Sequence, residues 1–394
     1  LTVQQMYYTV TGTRSLLIQM VFTLNAIYYV SVADLNPLQL VLIGTIMELS
    51  VLLFELPTGL TADRFGRKLS LCIGTGVLGF AHILEGSIPE FWAIAAASAL
   101  WGIGWTFISG AEQAWIADEM DGRHLDEVFL RGAQISSFGR FLGIAVSVGI
   151  ASLFSVQFTI VAAGILLGIL ALFAFGLMPE TKFVTTKREG STGLADMKEA
   201  LSGGFGQIRG NRTLVALAVV TLMWGLASEG YDRLWGALFI EDFNLPNEQA
   251  IYWFGAFYAI AFLLNIAVLR FVEKYVQGRY ASVLLVANSL LVLSMAGFAW
   301  AGEFMVAVLL FFVTGALRNI NYPLMNVMTN ERLQSKGRAT ALSMFGQLDA
   351  FGQIAGGPLV GLIALYTSIS GGITASALLL VPGVWFIWKL KKLA

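Results

Sequence analysis

The sequence predicts an all-α membrane protein of twelve transmembrane helices, arranged as two like-oriented, pseudo-symmetric bundles of six. Three observations carry this fold class. First, 57% of the 394 residues are hydrophobic and only 12% charged, about half the roughly 25% of a soluble domain. Second, apolar runs of about 20 residues, the length that crosses ~30 Å of hydrocarbon as a helix, recur twelve times along the chain. Third, the cationic residues sort into alternate connections between those runs, as loops facing the cytoplasm require.

The runs lie near residues 15–34, 38–60, 69–88, 91–116, 130–154, 157–178, 212–240, 250–271, 280–300, 303–328, 338–365 and 369–389. The connections between them are mostly short and carry Gly, Pro, Asn or acidic residues. Of the 24 Lys and Arg, all but Arg140, Arg233 and Arg318 fall in even-numbered connections or in the two terminal segments, where Arg14 precedes the first run. An error of one span would swap the sidedness of every later loop. The partition therefore supports twelve spans with cytoplasmic N- and C-termini. The first run continues as a full span and reads as a helix rather than a cleaved leader.

One connection is long. Residues 179–211, rich in Lys, Thr, Gly and Ser, separate an N-terminal six-helix bundle (1–178) from a C-terminal one (212–394). Within that linker, residues 194–208 read either as a short amphipathic helix, with Leu194, Met197, Leu201 and Phe205 on one side, or as a tether. Polar signatures repeat across the two halves some 210 residues apart. Asp63-x3-Arg67 is answered by Glu273-x5-Arg279, and Ala117-Asp-Glu119 with Arg131-x7-Gly139 by Thr329-Asn-Glu331 with Arg338-x7-Gly346. Such repeats place substrate sites near the bilayer midplane, at the interface of the halves.

Several function classes are excluded or disfavoured. A net charge of -1 argues against nucleic acid as a partner, and a single cysteine, Cys72, rules out an internal disulfide. No Gly-x4-Gly-Lys-Ser/Thr loop exists for ATP. Gly74-x-Gly76-x-x-Gly79 matches a dinucleotide fingerprint but lies inside an apolar span, where helix packing explains it better. The same holds for Gly139-x3-Gly143, Gly352-x3-Gly356 and Gly357-x3-Gly361. The two histidines, His82 and His124, are far apart and make no metal site; His82 reads as buried or interfacial. With no catalytic constellation in view, the chain reads as a non-enzyme without a cofactor.

Nine ionisable groups stand out within the runs: Glu48, Glu55, Glu112, Arg140, Glu229, Asp232, Arg233, Arg318 and Asp349. Facing lipid at mid-helix, each would cost about 2.5 to 3.5 kcal/mol, so each is expected to face the interior or a partner. Glu48 and Glu55, seven residues apart, share one face of span two. Glu229, Asp232 and Arg233 are spaced i, i+3 and i+4, so Arg233 can pair with Glu229 and leave one carboxylate without a permanent partner. A buried carboxylate in that position is suited to bind and release a proton. The order of proton-site candidates is Asp232 or Glu229, then Asp349, Glu112 and Glu48. Fixed salt bridges between helices, with Arg140 and Arg318 as cationic ends, are the competing reading.

The stretch Gly59-Leu-Thr-Ala-Asp63-Arg-Phe-Gly66-Arg67-Lys68 resembles, nearly residue for residue, the loop 2-3 signature of the major facilitator superfamily, and Pro179-Glu-Thr-Lys182 after span six resembles another of its marks. Phe54-Glu55-Leu-Pro57-Thr-Gly59 is similar to a branch of bacterial proton-driven multidrug exporters. Two features depart from that branch: span four lacks its Arg, and span five lacks its Gly-Pro pair, which appears instead as Gly357-Pro358 in span eleven.

The resemblance implies a secondary transporter of the bacterial inner membrane, working by alternating access as a monomer in the lipid bilayer. It would exchange a small organic substrate for protons, with the proton gradient as its energy source. It further implies a cytoplasmic gate built from Gly59, Asp63, Gly66, Arg67, Arg131 and Glu55, in which Asp63 faces the N-terminus of span eleven, where a helix dipole favours negative charge, and Arg131 helps hold the acid. Spans one, four, seven and ten would line the cavity. Its candidate lining is Asn25 and Tyr28; Trp101, Trp105 and Glu112; Trp224, Tyr231 and Arg233; and Arg318 and Tyr322. Aromatic faces with a few charges suit amphipathic organic compounds. The alternatives are a substrate-specific carrier of a siderophore-like, lipid-like or nutrient molecule, possibly for uptake, and a membrane sensor that does not transport.

Overall fold

A computed structural model describes residues 1–183, 205–206, 208–333 and 338–393. The segment 194–208 falls almost wholly outside the described residues. Twelve helices are long and apolar enough to cross a membrane. They are span 1 (Val3–Val32), 2 (Pro37–Phe65), 3 (Arg67–Ser87), 4 (Phe91–Glu119), 5 (Leu125–Leu153) and 6 (Val156–Leu177), followed by 7 (Arg212–Glu241), 8 (Asn247–Tyr275), 9 (Tyr280–Ala299), 10 (Phe304–Arg332), 11 (Arg338–Tyr366) and 12 (Ile369–Leu393). No strand occurs among the described residues.

Helix ends follow the local sequence. Thr2 and Gln5 form a capping box, with the Gln5 amide N–H donating to Thr2 Oγ1 at 3.2 Å and the Thr2 N–H to Gln5 Oε1 at 2.9 Å, which satisfies two otherwise orphaned donors. That cap starts span 1 at Val3 rather than near residue 15 and draws Arg14 into the membrane helix. Ser155 caps span 6 and Asn211 caps span 7 through their side-chain oxygens. Span 4 consists of two helical pieces, Phe91–Ser109 and Ala111–Glu119, that meet at Gly110.

The chain forms two compact units. The first comprises Leu1–Leu35, Ile46–Lys187 and Asn244–Ala259; the second comprises Asn36–Thr45, Arg188–Phe243 and Ile260–Ala394. In the first, span 3 packs between spans 4 and 6, and span 1 lies against spans 5 and 6. A Cβ on Gly79 would sit 2.7 Å from the Gly164 carbonyl oxygen, and one on Gly74 would sit 2.6 Å from that of Gly104. The glycines of the apparent dinucleotide fingerprint are thus the seam that lets these backbones touch. In the second unit, span 7 packs against spans 11 and 12.

Candidate functional site

In the first unit the turn between spans 2 and 3 is held by groups far away in sequence. Gly66 has φ +111, and a Cβ there would lie 2.7 Å from Glu180 Oε2. Glu180 Oε1 accepts from the Lys68 N–H at 2.8 Å, so the carboxylate sits on the first turn of span 3, where the helix dipole favours it. Arg67 donates to the Ala114 carbonyl at 2.6 Å and pairs with Asp118. Glu119 accepts from the Thr181 N–H (2.7 Å), the Thr181 hydroxyl (2.9 Å) and the Lys182 N–H (2.9 Å), while Trp115 Nε1 donates to the Pro179 carbonyl at 2.8 Å. Pro179 to Lys182 is therefore a strap across the ends of spans 3 and 4. Sequence reasoning used that tetrad as a family mark and missed this role; a carboxylate directly after a span end was the available signal.

Glu55, Gly59, Asp63 and Arg67 line a cleft of about 300 Å³ beside this turn. Asp63 is exposed and makes no ion pair among the described residues. Arg131 does not reach it: its guanidinium stands 5.9 Å from the centre of the Tyr8 ring. The part of the gate expectation in which Arg131 holds Asp63 is thus not what the structure displays, because span 5 turns that cation towards span 1.

Deeper in the first unit, Arg14 Nη2 donates to Glu112 Oε1 at 2.6 Å and the Thr11 hydroxyl donates to the same oxygen at 2.7 Å. Glu112, a proton and cavity candidate from sequence, has a buried cationic partner that the sequence boundaries had placed outside the membrane. Trp101 and Trp105 stack at 5.6 Å with their planes 8° apart, and Phe22 lies 5.6 Å from Trp101. Beside them Asn25 Oδ1 and Trp101 Nε1 are buried without a hydrogen-bond partner among the described residues. Tyr28 leaves this group: its hydroxyl donates to the Glu85 carbonyl and its side chain is fully buried. Glu48 is half-buried on span 2.

The second unit collects the remaining charges at mid-span. Arg233 Nε donates to Glu229 Oε1 at 2.8 Å, the i, i+4 pair expected from spacing. Asp232 is also paired, receiving Arg318 Nη2 at 2.8 and 2.7 Å on its two oxygens. The Arg318 guanidinium is clamped over the rings of Trp224 (5.2 Å) and Tyr231 (4.9 Å), an added attraction between cation and ring face. Tyr231 itself is buried against Phe298 and supports Arg318 from below rather than lining a cavity.

The carboxylate left over is Asp349. Its Oδ2 accepts from Gln353 Nε2 at 2.9 Å, while Oδ1 is buried with no hydrogen-bond partner among the described residues. Asp349 borders a pocket of about 460 Å³ lined by Trp224, Tyr322 and Phe345 and by the side-chain amides of Asn321, Asn326 and Asn330. Asn321 is fixed from behind by Asn288 Nδ2 at 2.6 Å. The spacing of Glu229, Asp232 and Arg233 exposed the local pair, but the cation that neutralises Asp232 comes from span 10. The unpaired acid is therefore on span 11.

The arrangement is a polar and aromatic recess inside a helical membrane unit, with an unsatisfied carboxyl oxygen at its wall. The chain matches the Major Facilitator Superfamily over residues 9–347, and it belongs to that family. It is 22% identical over 388 residues to the uncharacterized MFS-type transporter YxaM of Bacillus subtilis (strain 168), covering 95% of this chain and 93% of that one. Among solved structures it is similar to the nucleoside transporter NupG (TM-score 0.78, 12% identity, 100% and 99% of the two chains). It also resembles a D-xylose-proton symporter (TM-score 0.70, 15% identity, 98% and 96%). The chain is thus a multi-pass membrane transporter rather than an enzyme.

Proposed function

We propose that the chain exports amphipathic organic compounds in exchange for protons, as a monomer in the bacterial cytoplasmic membrane with both termini inside and residues 179–211 linking its two bundles. One observation carries this reading: the buried, partnerless Oδ1 of Asp349 at the wall of a 460 Å³ recess of aromatic rings and amides. Such an oxygen needs a donor, and a proton or a donor group of the cargo can supply it in turn. That exclusive occupancy is what exchange requires. Arg318 and Arg233 hold Asp232 and Glu229 in ion pairs, which removes them from the competition. Asp63, exposed at its turn, is the gate acid, free to meet a helix N-terminus when the cytoplasmic side shuts.

A second reading rests on the amides. Three asparagines in one recess favour a cargo with several hydroxyl or ring-nitrogen groups, and both NupG and the D-xylose symporter are named for cargoes of that kind. Purified protein in liposomes under an imposed pH gradient separates the two. Gradient-dependent flux of cationic dyes supports the first. Flux of nucleosides or sugars with proton uptake in the same direction supports the second. Flux that ignores the gradient removes proton coupling altogether.

A further inference from the structure

At the end of span 3 opposite the Thr58–Leu69 turn, buried polar side chains converge on one carboxylate. His82 and Glu85 lie one helical turn apart with side chains 2% and 6% exposed, and His82 Nδ1 is 2.9 Å from Glu85 Oε2. The Tyr29 hydroxyl donates to Glu85 Oε1, and the Tyr28 hydroxyl donates to the Glu85 backbone oxygen. Two consecutive tyrosines reach one residue from a π-helical turn at Tyr28–Val32; in a regular α-helix adjacent side chains diverge by about 100°. Turns of this type recur at functional sites.

The charge balance of the cluster is unusual for a membrane interior. From span 1 only Tyr28 and Tyr29 face it; span 6 and the Phe91–Ser109 piece of span 4, which pack on span 3, carry no titratable side chain, and the acids of span 4 (Glu112, Asp118, Glu119) lie in its other piece, Ala111–Glu119. Asp34 and Glu90, in the loops at that end, are exposed, and the next titratable group along span 3 is Cys72. Among the described residues no Lys or Arg pairs with Glu85. With His82 neutral the cluster holds one buried negative charge; with one more proton it is a neutral imidazolium–carboxylate pair. His82 Nε2 is buried without a hydrogen-bond partner among the described residues. Glu85 is in the last turn of the helix, two residues before the exposed Ser87.

We propose that His82 and Glu85 form a second proton-binding site, loaded from the outer side of the membrane, with Tyr29 orienting the carboxylate. The proton arrives from water at the Ser87 end, resides on the imidazole with Glu85 as counter-ion, and leaves behind a neutral histidine and a carboxylate held by the Tyr29 O–H. The site rests on the proton-driven reading above and on a cytoplasmic Thr58–Leu69 turn.

Because the chain has only two histidines, a His124→Gln protein labelled at histidine reports His82 alone. Its infrared or NMR signal in lipid, followed from about pH 5 to 8, is expected to change with pH, and Glu85→Gln is expected to displace that change. In liposomes, His82→Gln and Glu85→Gln are expected to lower gradient-driven flux by about tenfold or more while leaving cargo counterflow without a gradient at the wild-type rate. A silent His82 across that range, or variants with an unchanged pH profile and only a lower melting temperature, would reduce the cluster to a clamp between spans 1 and 3. If His82 titrates but wild-type flux ignores the pH gradient, the proton-driven reading fails and the binding site stands. If wild-type flux follows the gradient and both variants follow it equally, the site fails and the reading stands. Should Glu85→Gln not fold, the single-histidine titration decides alone.

Discussion

The two halves carry the same polar repeat and use it differently. In the first unit, Arg67 of the span 2–3 turn is tied to Asp118 and Ala114, and Glu180 closes over Gly66. In the second unit the matching Glu273 and Arg279 are exposed, and Gly278 turns at φ +73 with open space around it. The counterpart of Asp118 is Asn330, which lines the recess beside Asp349 instead of joining an ion pair. In the first half the repeated charges therefore brace the turn, while in the second they stand exposed and the repeated Asn330 borders the recess. A repeat preserves geometry, and the side chain at each repeated position decides whether that geometry braces or binds.

Four pairs of substitutions would break or sharpen this contrast. The largest effect is expected from Asp349→Asn, which should reduce gradient-driven flux by about a hundredfold or more with folded yield intact. Asp118→Asn should reduce flux far less; equal losses from the two would erase the functional difference between the halves. Next, Arg67→Ala removes one partner of a half-buried pair, and it should lower stability in detergent by about 1 to 3 kcal/mol. Arg279→Ala at the matching turn should stay within about 0.5 kcal/mol, as read from paired melting curves.

A smaller separation is expected between glycines. Gly66→Ala meets both a forbidden φ and the Glu180 carboxylate, at a cost of about 1 to 3 kcal/mol, whereas Gly278→Ala meets only its positive φ, at about 1 to 2 kcal/mol. Equal melting shifts would show that Glu180 yields freely. The smallest stability change belongs to Asp63→Asn, expected to leave the melting temperature unmoved while lowering flux severalfold at equal expression. Glu273→Gln should change neither, and wild-type flux in Asp63→Asn would remove the gate role.

Much of this was legible in the sequence because it depends on composition and spacing. The twelve spans, the Glu229–Arg233 pair and the packing role of the glycine pairs all follow from apolar run length, i to i+4 geometry and the absence of a strand before Gly74. Arg14 was misread because a capping box at Thr2 extends span 1 over polar residues that hydropathy treats as a tail. Tyr28 was placed in the cavity by its position on span one, but the π turn rotates it towards Glu85. His82 was read as buried or interfacial, and it is buried; Glu85 was passed over, although His-x2-Glu within an apolar run was the signal available.

By itself the sequence determined the membrane class, the number of spans and the repeat, since these are set by the solvent a helix must match and by charges that resist crossing it. Only the tertiary structure decided which carboxylates are neutralised. Arg318 reaches Asp232, Arg14 reaches Glu112 and Gln353 satisfies just one oxygen of Asp349. Pairing depends on contacts within a few ångström between residues tens to a hundred positions apart. No local pattern records which cation arrives, so the unpaired acid emerges only once the helices are packed.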